Sequence, residues 1–150
     1  MIGFKKFGNA PNIAISASSS GTFSTSVAAD VTNLSCASFI THGLPIWLML
    51  VDEGTASESF VRVGSNTGNN SAYANFGFYQ DSTQLNNMDL GVVSTAANNP
   101  EISVPPSAFQ YFYQPAAGTY TFKFRVVSFP SSGDSAYVYR CKLVVYEMGY

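Results

Sequence analysis

From Gly118 to Phe129 the chain alternates with a period of two. Tyr120, Phe122, Phe124 and Val126 fall on one side, and Thr119, Thr121, Lys123 and Arg125 on the other. Successive side chains of an extended chain point to opposite faces, so this stretch specifies a strand with one face in a core and the other toward water or a partner. After the turn cluster Pro130-Ser-Ser-Gly-Asp134 the pattern resumes from Ala136 to Met148, with Tyr137, Tyr139, Cys141, Leu143 and Val145 assigned to one face and Arg140 and Lys142 to the other. The two segments read as a long antiparallel hairpin.

No stretch long enough for a helix keeps an apolar stripe of 3.6-residue period, so helix should be nearly absent. Shorter strand candidates are Ile13 to Ala17, Thr22 to Ala28, Leu34 to Ile40, Ile46 to Asp52, Phe60 to Val63, Ala72 to Gln80, Ile102 to Val104 and Ala108 to Gln114, separated by Gly, Asn, Ser or Pro clusters. Roughly eight to ten short strands predict a β-sandwich or barrel. Gly64 to Ser71 and Asn86 to Pro100 lack strong periodicity and read as loops. The 150 residues suit one domain, taken as 12–150, preceded by an N-terminal arm over 1–11. No repeat, heptad or Gly-X-Y tract encodes a fibrous shaft.

Charged residues make up only 11% of the chain, against roughly 25% in typical globular domains, so Ser, Thr, Asn and Gln must supply the polar surface. A surface of hydroxyls and amides meets another neutral surface without desolvating ions, which suits assembly. Net charge −2 with no basic stripe leaves no electrostatic footprint for nucleic acid. The longest apolar run, Leu44 to Val51, is far short of a bilayer span and reads as a buried strand, so no membrane partner is expected. The first residues, through Pro11, contain no apolar run of the kind a signal peptide needs.

The residues that carry chemistry elsewhere are sparse. Cys36 and Cys141 form no CxxC or Cys/His cluster and are expected to be buried free thiols. His42, the single histidine, lies beside Gly43 and Pro45 in a turn. A strand would hold it about 20 Å from Cys36, so the expectation is a local hydrogen bond, not a nucleophile pair. Asp52, Glu53 and Glu58 around Gly54, and Asp81 and Asp89 beside a polar loop, read as solvated turn acids rather than a hydrolytic pair or a Ca²⁺ site. Gly64-Ser-Asn-Thr-Gly68 lacks the Lys and helix of a phosphate loop. The expectation is a non-enzymatic chain with no catalytic residue, metal or cofactor.

One segment carries a family resemblance. Phe112, Pro115, Gly118, Tyr120, Phe122, Phe124 and Val126 stand at the spacing F-x-x-P-x-x-G-x-Y-x-F-x-F/Y-x-V, which resembles the C1q and tumour-necrosis-factor-like jelly rolls. Pro115 is expected to end a strand, Gly118 to supply a positive-φ corner, and Tyr120, Phe122 and Phe124 to enter the core. The resemblance implies an antiparallel jelly-roll β-sandwich that packs as a homotrimer through aromatic strand faces, for which Tyr73, Tyr79, Tyr111, Tyr113, Tyr137, Tyr139 and Tyr146 are candidates. The low-charge, Ser/Thr/Asn/Ala-rich composition, with the ending Tyr139-Arg-Cys-Lys-Leu-Val-Val-Tyr-Glu147, also resembles the small virion proteins of tailed bacteriophages.

Together these resemblances imply a capsid decoration, or cement, protein of the virion, assembled in the host cytoplasm. Its partners would be its own copies and the major capsid protein, with Phe4, Lys5, Lys6 and Phe7 of the arm as the anchoring segment. The alternatives are the receptor-binding tip of a tail fibre, with Asn66 to Tyr73 holding a host glycan, and a C1q-like ligand domain. With Met1 leading so short an arm, there is little room for a shaft.

Overall fold

The computed structural model describes residues 11–23, 29–55, 58–65, 68–95, 99–129 and 133–149. The alternation at its end produces two strands, β11 (Gly118–Ser128) and β12 (Asp134–Glu147), that face each other across the core instead of pairing. The expected hairpin is therefore corrected. Both strands have an apolar face to bury, and crossing between sheets lets each cover the other, which pairing edge to edge would not do.

Before them come β1 (Asn12–Ile15), β2 (Ser19–Phe23), β3 (Ala29–Thr41), β4 (Ile46–Asp52), β5 (Phe60–Ser65), β6 (Ser71–Gln80), β7 (Thr83–Gln84), β8 (Met88–Val93), β9 (Glu101–Val104) and β10 (Gln110–Tyr113). One short 3₁₀ turn over Pro106–Ala108 follows Pro105 and delays the start of β10, so that strand is shorter than its sequence pattern indicates. The first sheet runs β10-β4-β12-β5-β9, with β1 and β2 along the other side of β12; the second runs β3-β11-β6, with β7 and β8 on β6. All pairings are antiparallel. The architecture is an all-β jelly-roll sandwich.

The core lies between the sheets. Leu48, Leu50, Val138, Leu143 and Val145 enter from the first and Leu34, Phe76, Phe78, Phe122, Phe124 and Val126 from the second. Phe124 stacks on Phe76 at 5.7 Å and meets Phe109 edge-on at 5.5 Å, a geometry that suits the aromatic quadrupoles.

Bulges in β3 and β12 interrupt the two-residue period. In β3 the buried positions are Val31, Leu34, Cys36, Phe39 and Thr41, with an extra residue before Leu34 and another before Phe39. Asn33 and Ser38 absorb these at φ 66° and 56°. In β12 the extra residue is Arg140, at φ 51°. Its carbonyl accepts from Glu53 N–H (3.0 Å) and Ser59 Oγ (2.8 Å), across the gap where β4 stops and β5 has not begun.

That bulge corrects the predicted faces of β12. Ala136, Val138, Cys141, Leu143, Val145 and Glu147 point inward, so Tyr137 and Tyr139 stand outside with Lys142, Val144 and Tyr146. Between Asn86 and Pro100, expected as a loop, Met88, Leu90 and Val92 alternate toward the core as β8. Gly118 has no positive φ. It is extended, and what it provides is space, since a Cβ there would lie 2.9 Å from the Tyr120 ring.

Candidate interaction surfaces

Strand register sets the chemistry of the first sheet's outer face. Around the C-terminal half of β12, Ile13 of β1 stands opposite Tyr146, Tyr146 opposite Trp47, and Trp47 opposite Phe112. One row along, Ile15, Val144, Met49 and Gln110 line up in the same way. Exposure is 51% at Ile13, 61% at Ile15, 36% at Trp47 and 54% at Phe112, although these are the side chains that water solvates least well. In the next row Lys142 faces Val51, and its ammonium is tied to the Glu53 carbonyl at 2.9 Å. The result is a contiguous hydrocarbon patch whose bordering charge is held by its own chain.

Further along β12 the face changes character. Tyr137, Tyr139 and Phe60 form an aromatic ladder with centroids 5.3–5.8 Å apart, and the Arg62 guanidinium lies 4.7 Å over Phe60. Arg62 also donates to Ser103 Oγ (3.1 Å) and pairs with Glu101 (3.4 Å). Beside this ladder is an open depression of about 310 Å³ lined by Arg62, Gly64, Ser65, Asn99, Glu101, Ser135 and Tyr137.

The second sheet's outer face is mostly polar, with Ile40 of β3 and Val93 of β8 as its exposed apolar residues. Asp30 accepts from Lys123 (3.1 Å) and forms an ion pair with Arg125 (2.6 Å), Arg125 covers the Tyr79 ring at 4.8 Å, and Asp81 accepts the Thr121 N–H at 2.8 Å. Asn75 donates to Asp89 and is joined by Ser128 Oγ (2.6 Å).

The tyrosines named in the sequence thus divide. Tyr137, Tyr139 and Tyr146 occupy the first sheet's outer face. Tyr111 and Tyr113 pack inward against the core, Tyr79 is buried under Arg125, and Tyr73 lies across Gly91. Of the resemblance motif, Phe122, Phe124 and Val126 are fully buried, Tyr120 packs partly, Pro115 is buried and Gly118 sits beneath Tyr120. Phe112 stands at the surface, because Tyr111 and Tyr113 take the inward positions of β10. Phe4, Lys5, Lys6 and Phe7 lie outside the described residues.

His42 finds a partner that sequence spacing conceals. Its Nδ1 lies 2.9 Å from Oε2 of Glu147, a carboxylate with 1% exposure at the last inward position of β12. Oε1 of the same group accepts from Thr41 Oγ1 (2.5 Å) and the backbone N–H groups of His42 (2.6 Å) and Leu44 (3.4 Å). Burial alone would raise the Glu147 pKa, but the hydrogen bonds from Thr41, His42 and Leu44 to its charged form outweigh burial and hold it below the ordinary value. The arrangement is a latch that fastens the β3–β4 turn onto β12.

Cys36 and Cys141 are buried free thiols, and burial pushes them up to about 11 and about 12. The Cys36 thiol faces the Leu143 carbonyl at 3.7 Å. The turn acids are also engaged: Asp52 accepts the Gly54 N–H, and Glu53 accepts from Ser18 (2.6 Å) and Thr55 (3.1 Å). Among the described residues, no three or more His, Cys, Asp or Glu stand together as metal ligands, and no helix is long and apolar enough to cross a membrane.

No family model matches the chain, and no curated protein matches it. Among solved structures, the fold is similar to a dimeric latent PorU from Porphyromonas gingivalis (TM-score 0.48, 5% identity, 91% of this chain). The match spans only 13% of that chain. It is similar also to the Eiger TNF from S. frugiperda (TM-score 0.44, 9% identity, 92% of each chain). A third is a chain of infectious bursal disease virus, Gx strain (TM-score 0.40, 11% identity, all of this chain and 41% of that one).

Proposed function

We propose that this chain is a non-catalytic virion structural protein, a capsid decoration protein that associates as a homotrimer through the apolar half of its first sheet and binds the major capsid protein. The observation that carries the reading is the patch formed by Ile13, Ile15, Trp47, Met49, Phe112, Val144 and Tyr146. Exposed rows of this kind mark a surface that is covered in the working assembly. A second copy fits because the patch is uncharged and its bordering lysine is satisfied internally, so like surfaces approach without repulsion or ion desolvation. Three-fold closure uses a different part of the patch on each side and leaves no hydrocarbon row open, as a ring of heterologous contacts does.

The surface opposite, polar and laced with ion pairs, stays solvated in such a ring. The low overall charge suits lateral contact with a shell, and the proposed anchor is the arm bearing Phe4, Lys5, Lys6 and Phe7. Light scattering of the purified chain should give about three times its 16.1 kDa mass, and sedimentation with empty capsids should lose the protein when residues 1–10 are removed. A monomer at micromolar concentration sinks the trimer. Undiminished capsid occupancy of the truncated chain moves the shell contact to the body.

A further inference from the structure

We propose that the depression beside the aromatic ladder is a binding site for a neutral saccharide. It is separate from the self-association patch: Tyr137 and Val144 lie roughly 20 Å apart along β12 at about 3.3 Å per residue. The site is built from three strands of one sheet, β5 supplying Arg62 and Gly64, β9 supplying Glu101, and β12 supplying Ser135 and Tyr137. Asn99 closes one end, its position fixed by its Oδ1, which accepts the Gly68 N–H at 2.7 Å, and by its own N–H on the Asn69 carbonyl.

The lining decides the class of ligand. Arg62 and the Asn99 amide offer donors, Glu101 and the Ser135 hydroxyl, whose proton goes to the Gly64 carbonyl, offer acceptors, and the Tyr137 hydroxyl is capable of both, so a ligand must present donors and acceptors close together. The paired charges of Arg62 and Glu101 cancel locally, which selects against ions: an anion meets Glu101, and a cation meets Arg62. A pyranose satisfies this pattern, since each hydroxyl both donates and accepts and its C–H face suits an aromatic wall.

Preorganisation supports the same conclusion. The Arg62 guanidinium is held by Ser103, Glu101 and the Phe60 face, while Tyr137 is stacked on Tyr139 at 5.6 Å and 18°, so little side-chain freedom is lost on binding. At Gly64 a Cβ would press to 3.3 Å on Cβ of Glu101 and fill the floor. The volume of about 310 Å³ falls at the small end of ligand pockets, enough for one or two sugar rings.

The test is an amide NMR titration of the full chain with methyl glycosides of glucose, galactose, mannose and N-acetylglucosamine, and separately with acetate and inorganic phosphate. At least one glycoside should shift the resonances of Arg62, Gly64, Glu101 and Tyr137, and neither anion should. Arg62→Ala and Glu101→Ala should each weaken that binding by about tenfold or more with the thermal melt unchanged. The proposal is overturned by four results: no shifts with any glycoside, shifts mapping elsewhere, equal binding of phosphate or acetate at this site, or wild-type affinity in both variants. Because the site does not use the apolar patch, loss of the trimer and loss of sugar binding are separate outcomes.

Discussion

On the first sheet the outward side chains of β1, β12, β4 and β10 form hydrocarbon rows, whereas on the second those of β3, β11 and β6 mostly pair into ions, amides and capped aromatic rings, with Ile40 exposed near the end of β3. Both faces rest on antiparallel strands over one shared core, so strand geometry does not explain the contrast. What differs is how each outward residue meets its solvation needs. On the second sheet every large ring has a cover within the chain: Arg125 lies over Tyr79, and Tyr73 lies over Gly91, where a Cβ would come within 2.1 Å of the ring. On the first, Ile13, Ile15, Trp47 and Phe112 have no such cover among the described residues. Antiparallel sandwiches commonly keep a solvated outer face, and an exposed hydrocarbon row is the kind of surface that a partner can cover.

The contrast depends most heavily on the register of β12, because a one-residue slip in a strand exchanges its two faces. Deleting Val144, beyond the Arg140 bulge, forces a choice between Tyr146 inside with Val145 and Glu147 outside, or Lys142 inside with Cys141 and Leu143 outside. Either choice costs more than about 4 kcal/mol, so the variant should show no cooperative melt by circular dichroism. Deleting Arg140 itself keeps both faces, since Val138, Tyr139 and Cys141 then alternate, and should leave a cooperative melt. A wild-type melt of the Val144 deletion would mean that β12 can slide without exchanging its faces.

Next in size is the effect of charge on the two faces. Ile15→Asp combined with Phe112→Asp places carboxylates in the proposed contact, where desolvating them costs several kcal/mol per subunit, and light scattering should report monomers. Ser35→Asp, opposite Lys123 on the second sheet, should leave the mass unchanged. Dissociation by both variants, or by neither, would erase the functional difference between the faces.

Much of this was legible in the sequence. Ile46 to Asp52 is a strand with those same ends, and the inward aromatics of β11 follow from alternation alone. The run Ile46-Trp-Leu-Met-Leu-Val51 is apolar at every position and reads as a buried strand: Leu48 and Leu50 fill the core, while Trp47 is exposed and Met49 half-buried on the outer face. The bulges were not legible. Asn33 is a residue that tolerates positive φ, but Arg140 is not, and its cause is the gap between β4 and β5, a tertiary fact. Glu147 was hidden for the same reason, since its partners Thr41, His42 and Leu44 are more than a hundred residues earlier.

Glu147 supplies a third, intermediate effect that strains both sheets together, since the latch joins the turn after β3 of the second sheet to β12 of the first. Its folded pKa is depressed, so its contribution to stability is present above the ordinary value of 4.5 and is lost as pH falls through the lower folded value. Glu147→Gln should cost about 2–4 kcal/mol at neutral pH, because an amide cannot accept from all four donors. Between pH 6 and 3 the wild-type melting temperature should drop more steeply than that of the variant. Parallel slopes would assign the acid sensitivity to other carboxylates.

The smallest effect belongs to the ions of the second sheet. Asp30 is half exposed and forms ion pairs with Lys123 and Arg125, so Asp30→Ala removes two screened ion pairs at once. Each such pair contributes about 0–1 kcal/mol, and Arg125 keeps its seat over Tyr79 when the carboxylate is gone. The expected loss is therefore under about 1 kcal/mol, shrinking further in high salt as screening already weakens the pairs in the wild type. The assembled mass should not change, because a face that stays in water gains no contact by losing a charge. A large loss in denaturant titration, insensitive to salt, would show Asp30 to be part of a buried network. The polar face would then be structural in its own right, and the contrast with the hydrocarbon face would be one of interior support rather than of solvent and partner.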